Sequence, residues 1–134
     1  MRNKTVSYRV YYEDTDAGGI VYHANYLKFA ERARTEWLRF LGFEQSKLMK
    51  ENQILLPVYH LEIDFISPAK LDDLLIVETQ LLELKRVSMK MRQVIKCEEK
   101  KMASLDVSIA CVNLGKKPTC FPKELENILG QIQM

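Results

Sequence analysis

The chain has 134 residues, 47% of them apolar, and a formal net charge of +2 from 20 basic and 18 acidic side chains. This length and apolar content predict one globular domain, residues 1–134, with a buried core. The near balance of charge excludes a broad surface for gripping nucleic acid, and no run approaches the roughly 20 apolar residues that span a bilayer.

The first ten residues, MRNKTVSYRV, lack the apolar core of a secretory signal. We therefore expect a soluble, cytoplasmic protein.

The three cysteines show no CxxC pair, and two of them fall in apolar runs; they are Cys97, Cys111 and Cys120. This pattern favours reduced cysteines that pack as small apolar residues. The two histidines, His23 and His60, are not spaced with cysteines or acids as zinc ligands are. We expect no metal site.

The first predicted elements are a strand and a long helix. Residues 6–12 are β-branched and aromatic, which favours a strand. From about Asn25, apolar residues recur at spacings of three and four, which indicates an amphipathic helix. The apolar positions are Tyr26, Ala30, Ala33, Trp37 and Leu41. We expect Asn25 to be the N-cap and Gly42 to follow the last turn as the C′ residue.

The sequence after the long helix predicts a series of strands and a short final helix. Residues 59–65 alternate between apolar and polar, and Ser67 and Pro68 end that run. Three longer runs, 74–84, 87–97 and 102–113, are separated by gaps short enough for antiparallel hairpins. Residues 122–132 favour a helix. One long helix can cover the apolar face of one such sheet.

The most informative stretch is YYEDTDAGGIVYHANY, residues 11–26, because it gathers two aspartates, two glycines and a histidine before the long helix. It is consistent with a purely structural capped loop. A calcium loop would need a carboxylate where Asn25 stands, and a strand rather than a helix precedes the motif. An aspartic protease would need glycine instead of Asp16, and no GxSxG elbow indicates a serine hydrolase.

A further interpretation of this stretch is catalytic. A carboxylate in a loop that enters a helix lies beside backbone N–H groups that have no partner in the first turn and carry partial positive charge. Acyl transfer needs both a group that attacks or activates water and donors for the negative charge on the carbonyl oxygen. The glycines allow close approach of the backbone.

The run from Tyr12 to His23, continued by Asn25, Tyr26 and residues 31–34, resembles the hotdog-fold acyl-CoA thioesterases of the 4-hydroxybenzoyl-CoA thioesterase superfamily. Within that superfamily it is most similar to the YbgC type, which is linked to the Tol-Pal envelope system. The resemblance implies an α+β fold with an antiparallel sheet of about five strands wrapped around one long central helix, and a short C-terminal helix. It also implies hydrolysis of an acyl-CoA thioester to a free acid and coenzyme A.

The resemblance also implies site residues. Asp16 corresponds to the catalytic carboxylate, acting as base or as nucleophile. His23 supplies a backbone N–H to the thioester carbonyl and is also proposed to act through its side chain, and Tyr12 is an accessory candidate. The residues implied to line the substrate site are Gly18, Gly19, Val58, Tyr59 and His60, the last three from a partner subunit.

The resemblance implies a homodimer or a tetramer, and partners such as acyl carrier protein or proteins of phospholipid synthesis. It implies no metal and no bound organic cofactor, because the coenzyme A thioester is the substrate. The alternative is a hotdog protein that binds acyl-CoA or acyl carrier protein without hydrolysis, or serves as a docking protein in envelope or phospholipid synthesis. The sequence leaves open the acyl chain length, the assembly size and the basic residues that meet the coenzyme A phosphates.

Overall fold

The computed structural model describes residues 4–133; residues 1–3 of the N-terminal segment, and Met134, lie outside the described part. In chain order the elements are β1 (Lys4–Arg9), a 3-10 turn (Tyr12–Asp14), α1 (Asn25–Phe40), α2 (Gln45–Lys47) with a π-helical extension (Leu48–Asn52), β2 (Ile54–Leu55), β3 (Val58–Phe65), β4 (Leu74–Leu84), β5 (Ser88–Cys97), β6 (Lys100–Ala110), β7 (Val112–Asn113) and α3 (Lys123–Gln133). Five strands form one antiparallel sheet in the order β1-β4-β5-β6-β3, and β2 pairs with β7. The predicted α+β architecture is confirmed.

The long strands follow from alternating sequence and tight turns. The β5 to β6 turn places Glu98 and Glu99 at φ 49° and 71°, the positive values that two-residue hairpins with a matching twist require. Inward-facing residues of β6 are fully buried or nearly so, among them Leu105, Val107 and Ile109. The three predicted strand runs 74–84, 87–97 and 102–113 correspond to β4, β5 and β6, with the last run continuing into β7.

Helix α1 buries the predicted face, because Tyr26, Ala30, Ala33 and Trp37 are all nearly or fully inaccessible. It ends as predicted at Gly42: the N–H of Gly42 donates to the carbonyl of Arg39, and the N–H of Phe43 donates to the carbonyl of Leu38. This pair of bonds is a Schellman motif, and Gly42 adopts the φ of 101° that the motif needs.

The start of α1 differs from the prediction. Ala24 is the N-cap, and Asn25 is the first helical residue. The side-chain amide of Asn25 donates a hydrogen bond to Oδ1 of Asp14, which lies 11 residues earlier in the chain. The cap prediction was wrong because a tertiary partner, rather than the local backbone, holds this side chain.

Three other features depart from the sequence expectations. The first strand ends at Arg9, and Tyr12 opens the 3-10 turn instead of closing the strand. Residues 45–52 are helical, although the sequence pattern predicted no element between the long helix and the strand at residues 59–65. The second sheet of β2 and β7 was not anticipated, since two-residue strands carry almost no periodic signal.

Strand β3 forms one edge of the main sheet, paired only with β6. Its predicted apolar face is only partly covered, because Tyr59 and Phe65 are 62% and 53% exposed. The edge therefore presents more apolar surface than sheet edges usually expose. No helix in residues 4–133 is long and apolar enough to cross a membrane.

Candidate active site

The aspartate and glycine loop is a narrow hairpin between β1 and α1. Thr15 and Val21 face each other as an antiparallel bridge, and the N–H of Asp16 donates to the carbonyl of Ile20 at 2.9 Å. The loop is also tied to the rest of the fold, since the N–H of Val21 donates to the carbonyl of Ala69 at 2.8 Å. Asp16 thus lies near the tip of an ordered loop.

Asp14 holds this loop to the helix. Its side chain is nearly buried, and it accepts a hydrogen bond from the N–H of Tyr11 at 2.8 Å and from Nδ2 of Asn25 at 3.0 Å. A carboxylate that accepts two hydrogen bonds remains favourable although it is removed from water. Asp14 therefore joins the end of the first strand segment to the first residue of α1.

Asp16 is exposed and is held by the loop's own backbone. Its Oδ1 accepts a hydrogen bond from the N–H of Gly18 at 2.8 Å. A Cβ on Gly18 would lie 3.2 Å from that same oxygen and would crowd this hydrogen bond, and Gly19 has a φ of 81°, which favours glycine. Asp16 lines an open cleft together with Tyr12, Thr15, Ala17, Gly19 and Leu71.

His23 lies at the entry to α1 in a second, mostly apolar cleft. The ring of His23 meets the ring of Phe65 edge-on at 6.2 Å between centroids, and the ring of Tyr22 at 4.6 Å. Within residues 4–133 no acceptor lies within hydrogen-bonding range of the backbone N–H of His23 or Ala24. The helix start therefore offers two unpaired donors at its positive end.

Tyr26 forms one wall of this second cleft and is held in place by two contacts. Its hydroxyl accepts a hydrogen bond from the N–H of Ala69 at 3.1 Å, and its ring meets Phe65 at 5.7 Å. Burial raises the pKa of Tyr26 above its usual value. Tyr26 therefore stays neutral near pH 7 and acts as a rigid wall beside His23.

The remaining predicted site residues, Val58, Tyr59 and His60, begin β3 on the exposed sheet edge. His60 Nε2 lies 3.2 Å from Glu62 Oε2 on the same strand. Within the described chain, Tyr12, Asp16 and Gly19 share one cleft, and His23 lines the other. Residues 58–60 contact neither cleft in a single chain. No group of three or more His, Cys, Asp or Glu side chains in residues 4–133 is arranged to hold a metal.

A third cavity, not expected from the sequence, lies between α1 and the sheet. Arg34 donates from its NH1 to Oε1 of Gln93 at 2.9 Å, and burial lowers the pKa of Arg34. Gln93 is completely buried on β5. A signal was present in the sequence: Gln93 stands at a position that alternates in phase with Met91 and Ile95, where an apolar residue is expected.

The chain matches the model of the family described as "Thioesterase superfamily" over residues 18–104. It is 52% identical over 119 residues to a protein of Haemophilus influenzae named acyl-CoA thioesterase YbgC, with 88% of each chain covered. It is 35% identical over 134 residues to the Helicobacter pylori protein of the same name, covering 92% of this chain and 98% of the relative. Among solved structures, a probable thioesterase from Bartonella henselae superposes with a TM-score of 0.87 at 37% identity, covering 90% of this chain and 99% of the other.

Proposed function

This chain belongs to the thioesterase superfamily, and within it to the YbgC acyl-CoA thioesterases; from that premise we propose that it hydrolyses acyl-CoA thioesters to a free acid and coenzyme A. The observation that supports the proposal is an exposed carboxylate near the tip of an ordered loop, followed by unpaired backbone donors where that loop enters α1; in one chain the two line separate clefts. Asp16 provides the first, and the N–H groups of His23 and Ala24 provide the second.

Each part has a defined task. The N–H groups of His23 and Ala24 stabilise the negative charge that develops on the thioester oxygen. Asp16 either removes a proton from the attacking water or attacks the carbonyl carbon itself. The coenzyme A thiolate needs little protonation as it leaves, since its pKa is near the value of about 8.5 for a free thiol. We assign no metal or organic cofactor to the reaction.

The complete site is proposed to need a second copy of the chain. Two identical edge strands related by a two-fold axis pair in antiparallel orientation. If β3 pairs with its copy about its centre, Val58 of one chain lies beside Phe65 of the other, and Phe65 contacts the ring of His23. Residues 58–60 then cover the partner's loop and helix start. This arrangement supports the expected roles of Val58, Tyr59 and His60.

The test is a thiol-release assay over short, long and aromatic acyl-CoAs with the wild type and with Asp16→Asn. We expect the wild type to release coenzyme A and the variant to lose about 10² to 10⁴ in kcat, the usual contribution of a positioned proton-transfer group. The fold should be unaffected, because the amide oxygen of asparagine still accepts the hydrogen bond of Gly18.

Near-normal turnover by Asp16→Asn would remove Asp16 from the mechanism. Tight acyl-CoA binding by a wild type that releases no thiol would instead support the alternative of a non-hydrolytic binding protein. Glu13→Ala provides a control, since it changes an exposed carboxylate of the same segment that lines neither the cleft of Asp16 nor that of His23.

The two roles of Asp16 differ in where the oxygen of water goes. In single-turnover hydrolysis in ¹⁸O-labelled water, a nucleophilic carboxylate acquires label when water attacks the aspartyl carbon of the acyl anhydride, whereas a general base acquires none. Mass spectrometry of the peptide that contains Asp16 measures the difference.

We also propose a cytoplasmic location, an association with the Tol-Pal envelope system, and acyl carrier protein or phospholipid-synthesis proteins as partners. The support is the relationship to the YbgC proteins and the chemistry of the substrate, because acyl groups activated as thioesters are shared by acyl-CoA and acyl carrier protein. Cell fractionation and affinity purification of the full chain test these proposals.

A further inference from the structure

Residues 21–26 form a short stretch of backbone, the entry arc, that leads from the loop into the first turn of α1. It contains the N–H groups of His23 and Ala24, which find no acceptor in the described chain. The N–H of Tyr22, just before them, donates to the carbonyl of Asp14 at 2.9 Å. Backbone donors stabilise an oxyanion only when they are held at the correct distance and direction. The contacts that hold the entry arc therefore bear directly on the proposed reaction.

Ala69 holds both ends of the entry arc. At one end, the N–H of Val21 donates to the carbonyl of Ala69 at 2.8 Å. At the other end, the N–H of Ala69 donates to the hydroxyl oxygen of Tyr26 at 3.1 Å. Ala69 is completely buried and Tyr26 is 3% exposed, so both bonds lie away from bulk water, where hydrogen bonds are stronger. One residue thus sets the spacing between the start and the end of the arc.

Ala69 is itself fixed, because the segment around it is bonded to the main sheet on both sides. Before it, the N–H of Ile66 donates to the carbonyl of Met102 in β6 at 2.8 Å. After it, the carbonyl of Asp73 accepts a hydrogen bond at 2.8 Å from the N–H of Val10, the residue that follows β1. Ala69 therefore provides a fixed point of the sheet against which the entry arc is held.

This clamp of Val21, Ala69 and Tyr26 depends on one side chain. The bond from Val21 uses backbone atoms only, whereas the bond from the N–H of Ala69 needs the hydroxyl of Tyr26. The ring of Tyr26 packs against the ring of Phe65 at 5.7 Å between centroids, which orients that hydroxyl. Phenylalanine at position 26 would keep the ring contact and leave the N–H of Ala69 buried without an acceptor.

We propose that Tyr26 is a positioning residue, whose hydroxyl acts through Ala69 to hold the N–H groups of His23 and Ala24 where the oxygen of the transition state lies. The inference rests on the proposed thioesterase activity and adds a residue that the sequence assigned only to the apolar face of α1. Since the two donors act on charge that exists only in the transition state, loosening the clamp should affect turnover more than substrate binding.

The kinetic test is Tyr26→Phe in the thiol-release assay, with the acyl-CoA that the wild type hydrolyses fastest. We expect kcat to fall about 10- to 100-fold, because both donors remain but are displaced from the oxyanion. KM should change by no more than about twofold, since the lost interaction is made only in the transition state. The thioether S-hexyl-CoA has no carbonyl oxygen, so its inhibition constant should stay at the wild-type value.

Tyr8→Phe is the matched control, since it removes the hydroxyl of a tyrosine that lines neither the cleft of Asp16 nor that of His23. The hydroxyl of Tyr8 is buried and has no hydrogen-bond partner in the described chain, so this variant should keep the wild-type kcat. Circular dichroism checks that both phenylalanine variants fold.

Thr79→Val controls for lost stability. Thr79 is buried on β4, and its hydroxyl accepts a hydrogen bond from Nε2 of Gln93 at 3.1 Å. The variant therefore loses a buried hydrogen bond away from the entry arc. Its urea midpoint should fall, as that of Tyr26→Phe should, but its kcat should remain that of the wild type.

Amide hydrogen exchange followed by NMR tests the clamp without turnover. In Tyr26→Phe, the amides of Ala69 and Val21 should exchange about tenfold faster or more, because the clamp opens locally. The amide of Met91, in the central strand of the sheet, should change only as much as the global stability does. Tyr8→Phe should leave the exchange of Ala69 and Val21 unchanged.

The outcomes separate the two proposals. A wild-type kcat in Tyr26→Phe overturns the positioning role, and so does a similar loss of kcat in Thr79→Val. Weaker inhibition by S-hexyl-CoA, by the same factor as the loss in kcat/KM, also overturns it, because the whole site would then be disturbed. A wild type that releases no coenzyme A contradicts the proposed function instead. Unchanged exchange at Ala69 and Val21 in Tyr26→Phe contradicts the clamp in either case.

Discussion

At the scale of single residues, the two aspartates of the loop have opposite surroundings. Asp14 is nearly buried and accepts two hydrogen bonds, whereas Asp16 is exposed and accepts one from the loop backbone. A buried acceptor is costly to remove, since its donors stay behind without partners. Asp14 is therefore assigned a positioning role for the loop that carries Asp16.

We expect Asp14→Ala to lower the free energy of unfolding by about 1–3 kcal/mol, because the N–H of Tyr11 and the amide of Asn25 lose their acceptor. Thioesterase activity should fall as well, since the loop is no longer tied to α1. Urea denaturation and the thiol-release assay measure the two effects. Glu13→Ala, a change at the neighbouring exposed residue, is the control and should change stability by less than about 0.5 kcal/mol.

At the scale of elements, α1 and α3 are associated with glycines of different backbone conformation. Gly42 ends α1 with a positive φ of 101°, and a Cβ there would meet nothing within 4 Å. Gly130 lies inside α3, also with open space around a Cβ, but with no positive φ. The first glycine is required by its backbone conformation, whereas the second is not.

The two alanine substitutions should therefore have opposite signs. Gly42→Ala should destabilise the protein by about 1 kcal/mol, because an L-residue is strained in the left-handed region. Gly130→Ala should stabilise it by about 0.5–1 kcal/mol, since glycine in a helix interior loses more backbone entropy on folding. Thermal and urea unfolding of both variants provide the comparison. Stabilisation by Gly42→Ala would contradict the Schellman assignment of the helix end.

At the scale of the whole molecule, the edge strand β3 is the feature that a single chain leaves unexplained. Its residues Val58, Tyr59 and Phe65 are all more than 40% exposed, although an isolated soluble sheet usually protects its edges with charge, proline or a covering segment. The proposed pairing of β3 with its copy removes this apolar surface. It also completes a site that one chain holds only in part.

We expect the wild type to sediment at twice the 15.7 kDa of one chain or at a multiple of it. Tyr59→Asp should shift the mass toward that of one chain and lower kcat/KM, because it places charge on the apolar edge and separates the two halves of the site. Analytical ultracentrifugation and the thiol-release assay provide the readouts. Leu114→Asp, at a residue of comparable exposure in the turn after β7, should change neither, and an active monomeric Tyr59→Asp variant would contradict the shared site.

The sequence determined the elements that depend on local pattern. Alternation over ten residues specified β4, β5 and β6, spacing of three and four specified α1, and the need for positive φ specified Gly42. The motif around Asp16 and His23 could also be recognised in the sequence, since those residues lie within one short segment. In each case the physical cause acts between residues close in the chain.

Only the tertiary structure decided the features that depend on distant partners. Asp14 and Asp16 are two residues apart and chemically alike, yet the packing buries one and exposes the other. Arg34 is held at the third cavity because its guanidinium donates a hydrogen bond to Gln93, which lies 59 residues away in the chain. The exposure of β3 follows from its place at the edge of the strand order. Sheet order and register bring together residues from separate segments, so a local pattern in the sequence cannot reveal which side chains meet.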